Sequence, residues 1–180
     1  MNFTQRIILY ILVLIAGISW TILSANGSTG ANSENLSAPQ VGFAAPGFTL
    51  KTPKGETYTL SELKGKPVLI NLWATWCPPC RAEMPAIQKI YDEYKDQGFI
   101  VLAINMTSQD NPLNIVPFAS EFDLNFPILL DETGDLGRAY QLRSLPSSFF
   151  INRVGVISEV VVGGPMAEAL LRTHVEKILQ

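Results

Sequence analysis

Blocks of different hydrophobic period divide this chain. Ile7–Leu23 is an apolar run without a charge, preceded by Arg6. As a helix it reaches roughly 25 Å, within the range of a spanning segment. It predicts a transmembrane anchor over 7–23, with residues 1–6 left on the cytoplasmic side by the flanking cation. A cleaved signal sequence is the rival reading, but Leu23-Ser24-Ala25 is a poor small-x-small site. Residues 24–38, rich in Ser, Asn, Gly and Ala, predict a flexible linker. Residues 39–180 then make one domain, long enough to bury its own core.

Within that domain the periods switch repeatedly between two and 3.6. Phe48–Lys51 and Glu56–Thr59 flank Thr52-Pro53-Lys54-Gly55, which predicts a short hairpin. Ser61–Leu63 suits a single helical turn. Lys66–Ala74 is apolar on both faces, the mark of a central strand. From Pro78 to about Lys95, Met84, Ile87, Ile90, Tyr91 and Tyr94 share one side of a helix, which Gly98 ends. Pro85 inside it predicts a kink, because its missing N–H leaves the Arg81 carbonyl unpaired. Phe99–Asn105 and Phe126–Leu130 are further strands, and Thr107–Asn111 is a polar loop. Leu113–Phe122 and Asp135–Tyr140 are short helices. Ser147–Asn152 and Val156–Val162 form a hairpin, and an amphipathic helix over 165–179 closes the chain. The order βαβαβ followed by ββα predicts an α/β fold, a mixed sheet with helices on its faces.

Charge and composition mainly exclude. The formal charge is −3, with acidic and basic residues interspersed, so nothing recommends a nucleic-acid partner. There are 2 cysteines and 1 histidine, too few for a structural zinc site. Arg81 follows Cys80, which rules out a Cys-x-x-Cys-His haem attachment. No cofactor and no metal is called for. What remains is the chemistry of Cys77 and Cys80 themselves.

The two cysteines lie two residues apart, where the central strand gives way to a helix. A dithiol in that position reads as a redox motif. The helix start leaves N–H groups unpaired, and that positive end favours thiolate over thiol. Pro78 suits the first helical position. Cys77, Cys80 and Glu83 recur every third residue, so two sulfurs and a carboxyl share one face.

These residues resemble the membrane-anchored thioredoxin-like proteins of the TlpA/ResA type. The resemblance covers about residues 40–180. It rests on Ala45-Pro46-Gly47-Phe48, Leu60–Lys66, Asn71–Cys80, Glu83-Met84-Pro85 and Leu145–Phe149. It implies a thioredoxin fold with an N-terminal hairpin extension and a helical insert. It also implies an exposed nucleophile at Cys77 and a buried resolving cysteine at Cys80. Pro146 would be a cis-proline helping to hold an extended substrate segment, with Leu145 beside it and Trp76 lining the groove. General thioredoxins carry a buried aspartate where this chain has Asn71. Glu83 is the available replacement, expected to be partly buried and to take a proton from Cys80. The implied activity is reduction of protein disulfides on the extracytoplasmic face, with apocytochrome c as a candidate substrate. A membrane electron donor of the CcdA kind would re-reduce the pair, and a monomer is expected.

Two other readings compete. A thiol peroxidase could share the layout, but Cys77 lacks the Pro-x-x-x-Thr-x-x-Cys context. A tethered binding module would leave the dithiol incidental. Trp73 reads as a packing residue, His174 as solvated, and Arg81 as an exposed charge.

Overall fold

The computed structural model describes residues 37–180, together with Asn2 and Gln5. The predicted anchor over 7–23 and all but the end of the linker lie outside the described residues. Among the described residues no helix is long and apolar enough to cross a membrane.

Seven strands form one mixed sheet: β1 (Thr49–Lys51), β2 (Thr57–Thr59), β3 (Val68–Trp73), β4 (Ile100–Asn105), β5 (Ile128–Leu130), β6 (Ser147–Ile151) and β7 (Ile157–Val162). Their spatial order is β2-β1-β5-β4-β3-β6-β7. β3 runs parallel to β4 and antiparallel to β6, so it is central, as its two apolar faces predict. The N-terminal hairpin β1–β2 extends the sheet, as the resemblance implies. It joins the sheet edge where Lys51 pairs with Leu130.

Among the described residues, four α-helices cover the sheet: α1 (Pro78–Tyr94), α2 (Ile115–Glu121), α3 (Asp135–Ala139) and α4 (Glu168–Leu179). On one face Leu69, Trp73, Val101 and Phe150 meet Met84, Ile87 and Ile90 of α1 and Leu171, Val175 and Ile178 of α4. On the other, Ile70, Leu72, Leu102, Ile104 and Phe149 meet Leu136 and Tyr140. Each such fully buried aliphatic side chain contributes roughly 1.5–3 kcal/mol by leaving water.

Several boundaries differ from expectation for local reasons. The helix α1 ends at Tyr94 and a 3-10 turn over 95–97 continues it, before Gly98 in the left-handed region at φ 87°. Pro112–Asn114 is a separate 3-10 turn before α2, since Pro112 suits a first-turn position. The last helix begins at Glu168 rather than 165, because Ala167 is still extended at ψ 142°. His174 is half-buried, its ring centroid 4.9 Å from that of Phe150.

Candidate active site

β3 delivers its last side chains to the edge of the core, and Cys77 stands at the N-cap of α1. Its Sγ accepts the Cys80 N–H at 3.3 Å, one of the donors the helix start leaves free. Cys77 and Cys80 are joined in a disulfide of 2.07 Å. Cys77 is only 3% exposed against 0% for Cys80, so the expected exposed nucleophile is covered in this oxidised form. Its sulfur is turned inward, bonded to Cys80 and capped by the Cys80 N–H. The exposed group is its neighbour Trp76, at 57%.

One side of this lip is fastened by a carboxylate that sequence reading passed over. Asp110 accepts the Thr75 N–H at 2.6 Å, the Thr75 hydroxyl at 2.5 Å and the Asn105 amide at 2.8 Å. It also accepts the Asn111 N–H at 2.8 Å. The Trp76 indole N–H donates to the Gln109 carbonyl at 2.9 Å. Burial pushes the Asp110 carboxyl up, but the four donors outweigh it and hold it below the usual aspartate range. Only a Thr before the cysteine motif and an Asp in the loop after β4 could have hinted at this link.

On the other side, Glu83 is 1% exposed. Its Oε1 accepts the Asn71 amide at 2.8 Å and its Oε2 the Met166 N–H at 3.2 Å. Burial raises its proton affinity and prevails over these two bonds, which act to lower it. Asn71 also donates to the Ser148 hydroxyl at 3.0 Å, directly across the β3–β6 pairing. The Leu145–Pro146 bond is cis, as the resemblance implies. A second cis bond, Gly164–Pro165, was not anticipated. Because Leu72 pairs with Ser147, Pro146 sits at the same sheet end as the cysteines. A Cβ on Gly164 would lie 2.7 Å from Pro146 Cγ and 3.0 Å from Glu83 Oε2. Only glycine lets that segment pass so close.

The remaining candidates divide clearly. Leu145 is half-buried and Pro146 buried beside Ser147 and Ser148. Trp73 is a core residue, its ring 4.4 Å from that of Phe118. The Arg81 guanidinium lies 5.1 Å from the Phe118 and Phe122 ring centroids and pairs with Glu121. Its charge is therefore engaged by α2 rather than aimed at the sulfurs.

Known proteins with similar sequences and structures carry redox names. The AhpC/TSA family profile matches residues 41–160. Thiol-disulfide oxidoreductase ResA of Geobacillus kaustophilus is 37% identical, over 97% of this chain and 97% of its own. A solved thiol:disulfide interchange protein of the thioredoxin family from Chlorobium tepidum superposes with TM-score 0.70 at 29% identity. It covers 76% of this chain and 96% of that one. A secreted Mycobacterium tuberculosis disulfide oxidoreductase homologous to E. coli DsbE gives TM-score 0.66 at 25% identity. It covers 72% of this chain and 95% of that one. The seven-stranded sheet and its helices are thus a thioredoxin fold.

Proposed function

This chain belongs to the AhpC/TSA family, and on that premise we propose that it is an extracytoplasmic reductant of protein disulfides. It is a thiol–disulfide oxidoreductase, and the closed Cys77–Cys80 pair at the start of α1 is the observation that carries the reading. In the reduced form the Cys77 thiolate gains from the helix N-terminus. It attacks one sulfur of a substrate disulfide, forming a mixed disulfide and releasing the other substrate sulfur as a thiolate. Glu83 takes the proton from the Cys80 thiol. The resulting Cys80 thiolate attacks the Cys77 sulfur, closing the 77–80 disulfide and releasing the second substrate thiolate. Two electrons pass from the chain to the substrate. Pro146, Leu145 and Trp76 hold the substrate segment at the same end of the sheet.

The finer assignments rest on the resemblance. The cysteines of apocytochrome c are the substrate class, and a membrane donor of the CcdA kind returns the electrons. The uncharged run after Arg6 supports an anchored, extracytoplasmic domain, as does the secreted relative.

Two measurements on the full chain test this. Cys77→Ser should abolish insulin-disulfide reduction, whereas Cys80→Ala should accumulate the mixed disulfide. Equilibration in graded thiol–disulfide buffers should give a reduction potential near −270 mV, about that of thioredoxin. A potential near −120 mV would mark an oxidant, and the reductive role would be abandoned.

A further inference from the structure

The carboxyl of Glu83 has a partner whose hydrogen-bonding sense can be reversed. Asn71, Glu83 and Ser148 are all buried, at 0%, 1% and 1% exposure. The Asn71 amide spends both N–H groups, one on Glu83 Oε1 at 2.8 Å and one on Ser148 Oγ at 3.0 Å. Its own carbonyl oxygen is buried without a partner among the described residues. This orientation fits an ionised Glu83, which can only accept.

Protonation changes the requirement. Both Glu83 oxygens already face donors, Asn71 Nδ2 and the Met166 N–H. The backbone N–H cannot be reversed, but a side-chain amide can, because its oxygen and nitrogen ends have nearly the same shape. A half-turn breaks the two bonds from Nδ2 and forms two to Oδ1. Glu83 Oε1–H and Ser148 Oγ–H both become donors to it. Either orientation leaves one end of the amide doubly bonded and the other unpaired. The unpaired end therefore does not decide between them, and the protonation of Glu83 does.

We infer that Asn71 is a positioning residue whose amide turns over as Glu83 gains or loses its proton. The buried carboxyl thus keeps its partner before and after it receives the Cys80 proton. This rests on the proposed role of Glu83. The step moves one proton from Cys80 Sγ to Glu83 Oε1, and no electrons. The titratable groups on α1 at this site are Glu83 and, when reduced, Cys77 and Cys80. β3 presents Asn71, β6 presents Ser148 and the Gly164–Met166 segment presents a backbone amide, none of which titrates. Glu168, at the start of α4, is turned to Lys89 and Arg172.

The test is an NMR titration of the full chain, kept oxidised so that neither thiol titrates. The Glu83 carboxyl carbon and the Asn71 side-chain amide should shift with one common midpoint. The cross-peak between the Asn71 amide protons and Ser148 should vanish on the acid side. A Glu83 titration that leaves the Asn71 shifts and cross-peak untouched overturns the inference. Glu83→Gln supplies a second arm that needs no titration, since the Met166 N–H holds the oxygen of the new amide and turns its N–H groups toward Asn71. It should remove the Asn71–Ser148 cross-peak at every pH, and a retained cross-peak overturns the inference equally. The role of Glu83 is judged separately, by the rate at which Cys80 resolves a mixed disulfide in Glu83→Gln. An unchanged rate removes that role and leaves the behaviour of Asn71 standing.

Discussion

Two carboxylates flank the strand that delivers Cys77, and they are held in opposite ways. Asp110, on the β4 side, is half-exposed and accepts four hydrogen bonds, which hold its proton affinity below the usual range. Glu83, on the β6 side, is buried and accepts two, and burial leaves its proton affinity raised. A carboxyl given donors enough to stay charged is suited to fastening backbone. One starved of water and donors is suited to exchanging a proton at a higher pH than an exposed glutamate would. The same functional group is a clamp on one side of the lip and, in the proposed mechanism, a proton acceptor on the other.

The sharpest way to break this contrast is Glu83→Gln. Loss of a general base should slow resolution of the mixed disulfide by about 100-fold. The fall in wild-type rate as pH drops through the raised Glu83 value should disappear in the variant. A stopped-flow pH profile of Cys80 attack measures both. If the variant keeps the wild-type profile, Glu83 is no more than a packed side chain.

Next comes stability. Asp110→Ala strands the Thr75 and Asn111 N–H groups and should cost about 2 kcal/mol at pH 7, read by urea unfolding. The pH dependence has opposite signs at the two sites. The Asp110 contribution is present above the ordinary aspartate value of about 3.9 and is lost as pH falls through its lowered folded value. The Glu83 contribution is full below the ordinary glutamate value of about 4.3 and is lost as pH rises through its raised folded value. Glu83→Gln should therefore gain on wild type as the pH rises, whereas the Asp110→Ala deficit should shrink in acid. Parallel pH trends for the two variants would contradict the comparison.

The smallest effect should come from Arg81→Gln. With its guanidinium over two aromatic rings and paired to Glu121, it should alter Cys77 attack on a small disulfide by less than about threefold. A larger change would give Arg81 a share in tuning the thiolate.

Much of one side was legible beforehand. A Cys at a helix start, a Pro behind it and a Glu at the third position beyond Cys80 are all governed by local geometry. They appear where expected, as do the central strand and the glycine that follows α1. The cover over Glu83 was not legible. Ser148 and Met166 reach the site from 77 and 83 residues away, and no periodicity couples them to Asn71 or Glu83. The Asp110 clamp was missed for the same reason, since Thr107–Asn111 reads as an unremarkable polar loop. The exposure expected of Cys77 failed too, because which way a sulfur turns depends on the bond it has made.

The sequence by itself determined the element order, the central place of β3 and the pairing of a dithiol with a helix N-terminus. Each follows from hydrophobic period or from the unpaired N–H groups of a first turn, and these act over a few residues. Tertiary structure alone decided which carboxylate has its proton affinity lowered and which has it raised. That choice depends on burial and donor count, and both are set by segments brought together only when the sheet closes its register.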